Sequence, residues 1–393
     1  MKTNSQIFIV IATISTLVIA FCSGGSLEPS QPPSAGGTMK TLDEVEPRIP
    51  LILPPYEISQ PGSYYLTHDL NIESFANGIN ITADDVTIDL MGYKIELGYH
   101  FISGEYYGIK VDGAKNVKIC NGTIKGFNTY GISGKTSETE GIEISSMRII
   151  GNESAGIYLE GKNHTITDCY VSDSNSVGIS CSSTDNLIIS KTTVTNNNGI
   201  GIRSGNSAII ENCIVTGNDG TGINVSYFND NCKIKDNIVR NNSGGGIGAG
   251  NNCVVSGNSV SSNSGSGIYC VDSNTIISNS IYANGARGID CNEGNVVKNN
   301  SIKDNQGNGL ETGNGNTVIN NSVQRNIADG LRIGYGCTIT GNTAYKNGDY
   351  GIYHGRYCLI DQNTCYNNDQ NGGGNGNMND NDVGCVFGRN VAP

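Results

Sequence analysis

Five side chains of types that bind or transform sugars recur at one spacing in the second half of the chain. Each stands two residues after a glycine that is followed by Ile or Leu, and each is 21 residues from the next. The series is Tyr269, Asp290, Glu311, Arg332 and Tyr353. It places two carboxylates next to each other, an arginine beside them and an aromatic ring at both ends.

Two neighbouring carboxylates cannot both ionise freely, so the pKa of one should rise, as an acid/base pair requires. If each residue stands one strand from the next, about 5 Å apart at the backbone, the pair also suits a retaining glycosidase. The arginine would stabilise charge or neutralise a uronate, and the tyrosines would stack on sugar rings. The alternative is an ordinary solvated sheet, in which Arg332 pairs with Glu311 and the tyrosines cover the pleat.

The elements that would position these residues follow from a repeat that begins much earlier. A glycine followed by Ile or Leu recurs at intervals of 21 to 25 residues, at Gly108, Gly131, Gly156, Gly178, Gly201, Gly222, Gly246, Gly267, Gly288, Gly309, Gly330 and Gly351. A second series keeps a spacing of 21 throughout, at Asn237, Asn258, Asn279, Asn300, Asn321, Asn342 and Asn363. Two markers in phase over this length indicate a repeat protein.

Each repeat contains three short runs of alternating apolar residues, such as "GIYCV", "NTIISN" and "NSIYAN", separated by Gly, Asn, Ser and Asp. Such runs predict strands joined by tight turns. The sequence therefore predicts an all-β, single-stranded, right-handed parallel β-helix of about 21–24 residues per coil. Its inward ladder would include Ile268, Ile289, Leu310, Leu331 and Ile352, and its Asn series would line a turn. A leucine-rich repeat has a similar period but needs Leu at several positions and a different return segment.

The N-terminal coils are less regular, but they contain the phrases "QPGSYYL" (60–66) and "DVTIDLMGY" (85–93). Residues 56–370 resemble the pectate-lyase-like right-handed β-helix superfamily, and its secreted NosD-like branch in particular. That superfamily includes pectate lyases, polygalacturonases, alginate epimerases and surface proteins of unknown role. The resemblance implies the fold, but fold alone does not name a reaction.

The catalytic signatures of these enzymes are missing from the sequence. It has neither the Asn-Thr-Asp and Gly-His-Gly pairings of polygalacturonases nor the Asp-Pro-His-Asp signature of alginate epimerases. The NosD-like resemblance suggests copper, yet four scattered histidines and five methionines supply few ligands, and we expect exposed, single histidines. These are His68, His100, His164 and His354.

Charge limits the possible partners and cofactors. The formal net charge of −12 disfavours nucleic acid, and it disfavours strongly acidic polysaccharides unless a cation bridges them. The segment "NMNDNDVG" places Asn379, Asp380 and Asp382 close together, and such oxygens suit Ca²⁺. The same segment also reads as an ordinary polar tail, since its spacing departs from the EF-hand pattern.

The N-terminus predicts export. Lys2 precedes the apolar run Ile7–Phe21, which is typical of a secretory signal. "CSGGS" follows, so Cys22 is a candidate lipidation site; simple cleavage and an uncleaved anchor are the alternatives. We expect a signal over 1–22, a flexible tether over 23–50, the β-helix over 51–370 and a polar tail or cap over 371–393.

Thirteen cysteines give a further ladder, with three pairs one repeat apart: Cys232 with Cys253, Cys270 with Cys291, and Cys337 with Cys358. One coil step is within disulfide reach, but we favour buried thiols that fill the core. The sequence as a whole predicts an extracytoplasmic protein that binds a polysaccharide or cell-envelope glycan, or serves as a surface-layer module. The alternative is a polysaccharide lyase, hydrolase or epimerase that uses Asp290, Glu311 and Arg332.

Overall fold

The computed structural model describes residues 47–52, 56–73, 76–98, 104–225, 230–372, 376–379 and 384–391. Within these ranges all regular elements are strands, and every strand pairing is parallel. The chain coils into a right-handed β-solenoid of about 14 turns, and each strand pairs with its equivalent one turn later. The predicted fold class is therefore confirmed.

One sheet, which we call the stripe sheet, takes a single strand from each turn. Among the described residues it has 14 strands in strict chain order. Its strands are Tyr56–Ile58, Ile79–Ile81, Ile109–Val111, Ile132–Gly134, Ile157–Lys162, Ile179–Asp185, Ile202–Asn206, Ile223–Val225, Ile247–Ala249, Ile268–Cys270, Ile289–Cys291, Leu310–Thr312, Leu331–Ile333 and Ile352–His354.

The remaining strands form two columns that join into one sheet, because Lys118–Lys125 and Glu143–Ile150 extend across both columns. The 28 strands described for it are Ile49–Leu51, Gly62–Leu66, Leu70–Ile72, Val86–Asp89, Lys94–Leu97, Lys118–Lys125, Glu143–Ile150, Thr165–Thr167, Tyr170–Ser172, Ile188–Ser190, Thr193–Thr195, Ile209–Glu211, Ile214–Thr216, Lys233–Lys235, Ile238–Arg240, Val254–Ser256, Ser259–Ser261, Thr275–Ile277, Ser280–Tyr282, Val296–Lys298, Ser301–Lys303, Thr317–Ile319, Ser322–Gln324, Thr338–Thr340, Thr343–Tyr345, Leu359–Asp361, Thr364–Tyr366 and Val386–Phe387.

The core is a set of aliphatic ladders between the sheets. In the stripe sheet the first residue of each repeat strand faces inward, and the predicted ladder of Ile268, Ile289, Leu310, Leu331 and Ile352 is completely buried. The glycine before each of these residues is required by close packing. A Cβ on Gly267 would lie 2.5 Å from Ile281 Cγ2 and 2.7 Å from Gly288 O, closer than real Cβ atoms approach such groups.

Asparagine side chains hold the turn between the two columns of the larger sheet. The Asn279 N–H and its Nδ2 both donate to Asn300 Oδ1, at 2.9 and 3.0 Å, while Nδ2 also donates to Val255 O at 2.9 Å. The pattern repeats along the predicted series from Asn237 to Asn363. The residue before each ladder Asn adopts a positive φ, 58° at Ser278 for example, which favours Asn, Asp, Ser and Gly there.

A second asparagine ladder holds the next turn and was not anticipated from the sequence. Asn284 N–H and Nδ2 both donate to Asn305 Oδ1 at 3.0 Å, and equivalent bonds join the other members. All are buried or partly buried, so each amide satisfies backbone groups that the turn would otherwise leave unpaired. The members are Asn197, Asn218, Asn242, Asn263, Asn284, Asn305, Asn326, Asn347, Asn368 and Asn377.

The described part of the C-terminal segment continues the solenoid. Val386–Phe387 pairs with Leu359–Asp361, and Asn390 Oδ1 accepts the Asn363 N–H at 3.0 Å. Asn377 Oδ1 extends the second ladder from Asn368. These residues form a last, partial coil over the end of the core.

Candidate functional site

The stripe sheet brings the five predicted site residues into one column, which we call the stripe. Strand pairing aligns Tyr269 with Asp290, Asp290 with Glu311, Glu311 with Arg332, and Arg332 with Tyr353. Each lies between two inward residues, so its side chain faces away from the core. Arg332 is exposed and the other four are half-buried.

A second column beside the stripe was not recognised in the sequence. It consists of the residue before each repeat glycine, three positions before the stripe residue, and we call it the flanking column. Along the site its members are Ser266, Arg287, Asn308, Asp329 and Tyr350. They share the 21-residue spacing, which is the signal that would have found them.

The flanking column holds the two carboxylates. Arg287 donates from Nη1 to Asp290 Oδ2 at 2.9 Å and from Nε to Glu311 Oε2, so a single guanidinium bridges both side chains. Asn308 Nδ2 adds a hydrogen bond of 2.6 Å to Glu311 Oε2. Asp290 and Glu311 are therefore fixed side by side and share one positive charge.

Arg332 does not pair with Glu311, contrary to the solvated-sheet interpretation. Its Nη1 lies 3.1 Å from Asp329 Oδ2, and its guanidinium carbon lies 4.7 Å from the centre of the Tyr353 ring. The Tyr350 ring is 5.5 Å from Tyr353 in a tilted arrangement. Glu311 already has Arg287 as its partner, which leaves Arg332 to pack between a buried carboxylate and an aromatic face.

Burial controls the protonation of two carboxyls at the site. The pKa of Asp290 is raised, mainly because burial penalises the charged form, with a smaller contribution from the charge of Glu311 and opposition from Arg287. Burial also raises the pKa of Asp329, against a hydrogen bond from the Tyr350 N–H and the charge of Arg332. The expected rise at one carboxyl of the pair is present at Asp290, but desolvation contributes more to it than repulsion does.

Two shallow hollows flank the carboxylate pair along the stripe. One, of about 250 Å³, is lined by Glu311, Arg332 and Tyr353, with Tyr335 at its side, 56% exposed. The other, of about 240 Å³, lies beyond Tyr269, where Gly248 occupies the stripe position. Each hollow thus has a tyrosine in its wall and a volume below the ~300 Å³ at which drug-sized ligand pockets begin.

Of the three proposed calcium ligands, Asn379 alone lies among the described residues. Asn379 Oδ1 accepts the His354 N–H at 2.8 Å, and its Nδ2 donates to His354 O at 3.0 Å, so its amide serves the last turn. Asp380 and Asp382 lie outside the described residues, as does the lipidation candidate Cys22. In the described ranges no group of three or more His, Cys, Asp or Glu side chains is placed to hold a metal ion.

The expectation of exposed histidines is wrong for two of the four. His68 is exposed and His100 lies outside the described residues, but His164 and His354 are completely buried. His164 Nδ1 accepts the Ile142 N–H at 3.1 Å, and its Nε2 faces Glu160 O at 2.9 Å. The His164 ring therefore bonds backbone groups of the turn as an asparagine side chain does in other coils. Burial lowers the pKa of this ring.

Cysteine burial agrees with the favoured interpretation. Every one of the twelve cysteines in the described part is a thiol in this structure, and eleven of them are buried. Cys270 and Cys291 face the core as stripe-sheet residues, and burial raises the pKa of both. The other two predicted pairs occupy a turn.

In the part of the chain that the structure describes, no helix has the length and apolar character needed to cross a membrane.

Sequence comparison assigns the chain to a family. The profile of the family described as "Right handed beta helix region" matches residues 130–277 and 247–326, which together cover half of the 393 residues. The chain therefore belongs to the right-handed β-helix family. No curated protein matches it significantly.

The solved structures that resemble this chain are distant from it in sequence. The Dettilon tailspike protein gp208 is 16% identical, with a TM-score of 0.46, over 87% of this chain and 61% of the tailspike. The A-module of the Azotobacter vinelandii mannuronan C-5 epimerase AlgE6 is 14% identical, with a TM-score of 0.43, over 85% of this chain and 91% of that module. The chain thus spans about three-fifths of the tailspike's length.

Proposed function

We propose that this protein is exported and binds a polysaccharide or cell-envelope glycan along the stripe. The observation that carries the proposal is the hollow in which Glu311, Arg332, Tyr335 and Tyr353 meet. It combines an aromatic wall with charged hydrogen-bonding groups, the combination that sugar rings require for stacking and for orientation.

The charge arrangement within the site narrows the class of glycan. Arg332 is exposed at the hollow, although Asp329 and the Tyr353 ring hold its guanidinium in place. The Arg332 guanidinium is suited to bind a hydroxyl-rich sugar or an isolated uronate. A densely acidic polymer is disfavoured, because the chain carries a net charge of −12 and Asp290, Glu311 and Asp329 line the same face.

The test is a glycan array that contains neutral, amino and uronate-bearing oligosaccharides, followed by product analysis of each hit. Binding without new products supports a binding or surface-layer module. The matched variants are Tyr353→Ala in the hollow and Tyr158→Ala, which occupies a stripe position nine strands away and stacks on Tyr130 with ring centres 4.6 Å apart. Failure of the wild-type protein to bind any glycan would reject the proposal.

Catalysis is the second candidate, and the raised pKa of Asp290 is the observation that favours it. As a polysaccharide lyase, hydrolase or epimerase, the protein would use Asp290 and Glu311 as acid and base, with Arg332 stabilising charge on the substrate. Asp290→Asn and Glu311→Gln should then each reduce turnover about 100-fold or more while affinity is kept. The sharing of Arg287 by both carboxylates favours binding, because it reduces their freedom to exchange protons.

A further inference from the structure

Three cysteines lie in a column at the C-terminal end of the solenoid, in the turn after the stripe sheet. Cys337, Cys358 and Cys385 immediately precede the paired residues Thr338, Leu359 and Val386. They therefore occupy equivalent positions on consecutive coils. We call them the sulfur column.

The sulfur atoms take the place of asparagine side chains in this turn. In the preceding coils Asn295 and Asn316 accept backbone N–H groups at Oδ1, for example Asn295 N–H to Asn316 Oδ1 at 2.7 Å. Further along, the Asn316 N–H faces Cys337 Sγ at 3.3 Å, and the Cys358 N–H faces Cys385 Sγ at 3.4 Å. Each sulfur thus points toward the coil before it.

The geometry of stacked coils permits a disulfide between neighbours in the column. Adjacent parallel strands are about 4.8 Å apart, within the ~4.4–6.8 Å that separates the Cα atoms of a disulfide. Cys358 Sγ lies toward the coil before it, where it donates to Gly334 O at 3.4 Å. Rotation of Cys358 about its Cα–Cβ bond would turn its sulfur from Cys337 toward the facing coil of Cys385.

Access to solvent distinguishes the members of the column. Cys337 is 2% exposed and Cys358 is 1% exposed, whereas Cys385 is only partly buried and lies between the exposed residues Gly384 and Val386. Its sulfur is 3.5 Å from Gly355 O and 3.9 Å from His354 Nδ1. Cys385 is therefore where a dissolved disulfide would first react.

We propose that Cys385 and Cys358 are a modification site, at which thiol–disulfide exchange with a small-molecule disulfide joins the last strand to the coil before it. The Cys385 thiolate attacks the reagent, forms a mixed disulfide and releases one reagent thiolate. Cys358, after loss of its proton, attacks Cys385 Sγ and releases the second reagent thiolate. The two protein thiols are oxidised, one reagent disulfide is reduced to two thiols, and two protons are transferred to solvent or to the released thiolates.

The position gives this bond a structural role that does not depend on the proposed glycan site. Val386–Phe387 has only two residues, and their side chains are 62% and 44% exposed, so burial contributes little to holding it. An end coil must nevertheless cover the open core of a solenoid. A covalent bond from Cys358 to Cys385 would secure this coil, and an exported protein meets conditions in which such a bond persists.

The experiment treats the full-length folded protein with oxidised glutathione and maps disulfides by non-reducing peptide mass spectrometry. We expect a Cys358–Cys385 cross-linked peptide, and a transient glutathione adduct on Cys385 that accumulates in Cys358→Ser. The midpoint of thermal unfolding should rise by a few degrees on oxidation. Cys385→Ser should abolish the cross-link, the adduct and the rise in the midpoint.

The chain provides its own control in Cys232 and Cys253, which stack in the same turn but are each 1% exposed. We expect both to stay reduced in the folded protein, and Cys253→Ser to leave oxidation at Cys385 unchanged. A Cys337–Cys358 cross-link, equal oxidation of Cys232 and Cys253, or a stable adduct on Cys385 that Cys358 never resolves would each overturn the proposal.

Discussion

Tyr353 is the residue on which the binding proposal depends most directly, because its ring lines the hollow and packs against Arg332. Tyr353→Ala should weaken binding of a glycan hit about tenfold, the loss of roughly 1.4 kcal/mol expected for one stacked ring. Titration calorimetry would measure the affinity, and thermal unfolding would show that the fold is kept. Tyr158→Ala is the matched control; an equal loss in that variant would move the site away from the hollow.

The raised pKa of Asp290 predicts how its protonation affects stability. A carboxyl whose pKa is higher in the folded state favours folding in its neutral form, and the penalty for ionisation appears as pH rises from its ordinary value of 3.8 through the folded-state value. The stability of Asp290→Asn relative to wild type should therefore increase from pH 3.5 to pH 7. Denaturant unfolding across that range measures it; a decrease would mean that Arg287 outweighs burial.

At this scale the sequence predicted the stripe but not its partners. Tyr269, Asp290 and Glu311 could be placed because the strand period fixes which residues face outward. Arg287 was missed because the 21-residue spacing of the flanking column was overlooked, and because strand alternation does not fix contacts between side chains three residues apart across a Gly-Ile step. The interpretation in which Arg332 pairs with Glu311 was wrong for the same reason.

Among the elements, the asparagine ladders offer the sharpest test of what holds the turns. Asn300 Oδ1 accepts both the N–H and the Nδ2 of Asn279, and Asn300 Nδ2 donates to Asn321 Oδ1 and to Ile276 O. Asn300→Ala should cost about 2–3 kcal/mol, because it removes the acceptor of the buried Asn279 N–H and the donor to Ile276 O, both on the preceding coil.

Denaturant unfolding would measure that cost, with Asn292→Ala as the control, since Asn292 is exposed and lies outside the ladders. The control should change stability by less than about 0.5 kcal/mol. If the two substitutions had equal effects, the buried amides would contribute no more than surface residues do. The first ladder was predicted from its 21-residue spacing. The second ladder, which includes Asn284 and Asn305, has the same spacing and could have been predicted in the same way.

The turn after the stripe sheet shows why some elements are difficult to predict from sequence. It is occupied in succession by Asn295, Asn316, Cys337 and Cys358, so no single residue type marks it. Asparagine oxygen and cysteine sulfur both accept a backbone N–H there, and a pattern based on residue identity does not detect that equivalence. His164 fills a related position with a ring nitrogen, which is why it is buried.

For the molecule as a whole, the fold was predictable because one coil determines the next. Repetition of the Gly-Ile pair and of the Asn series fixes strand register, inward faces and turns over about 14 turns. Function does not repeat in this way. Only the coils from Tyr269 to Tyr353 combine aromatic and charged stripe residues in an unbroken series, and the same backbone would support any other set of outward side chains.

The predicted lipid anchor at Cys22 determines where the whole molecule would work. If Cys22 carries lipid, the mature protein should enter the detergent phase on phase separation, since each buried CH₂ contributes about 0.8 kcal/mol to membrane binding. Cys22→Ser should then move it to the aqueous phase, while Cys385→Ser should not. Wild-type protein in the aqueous phase would indicate simple cleavage of the signal. A Cys22→Ser form that still partitions into detergent would indicate an uncleaved apolar anchor. Either result would reject lipidation of Cys22, while the proposal for the stripe would stand or fall on its own tests.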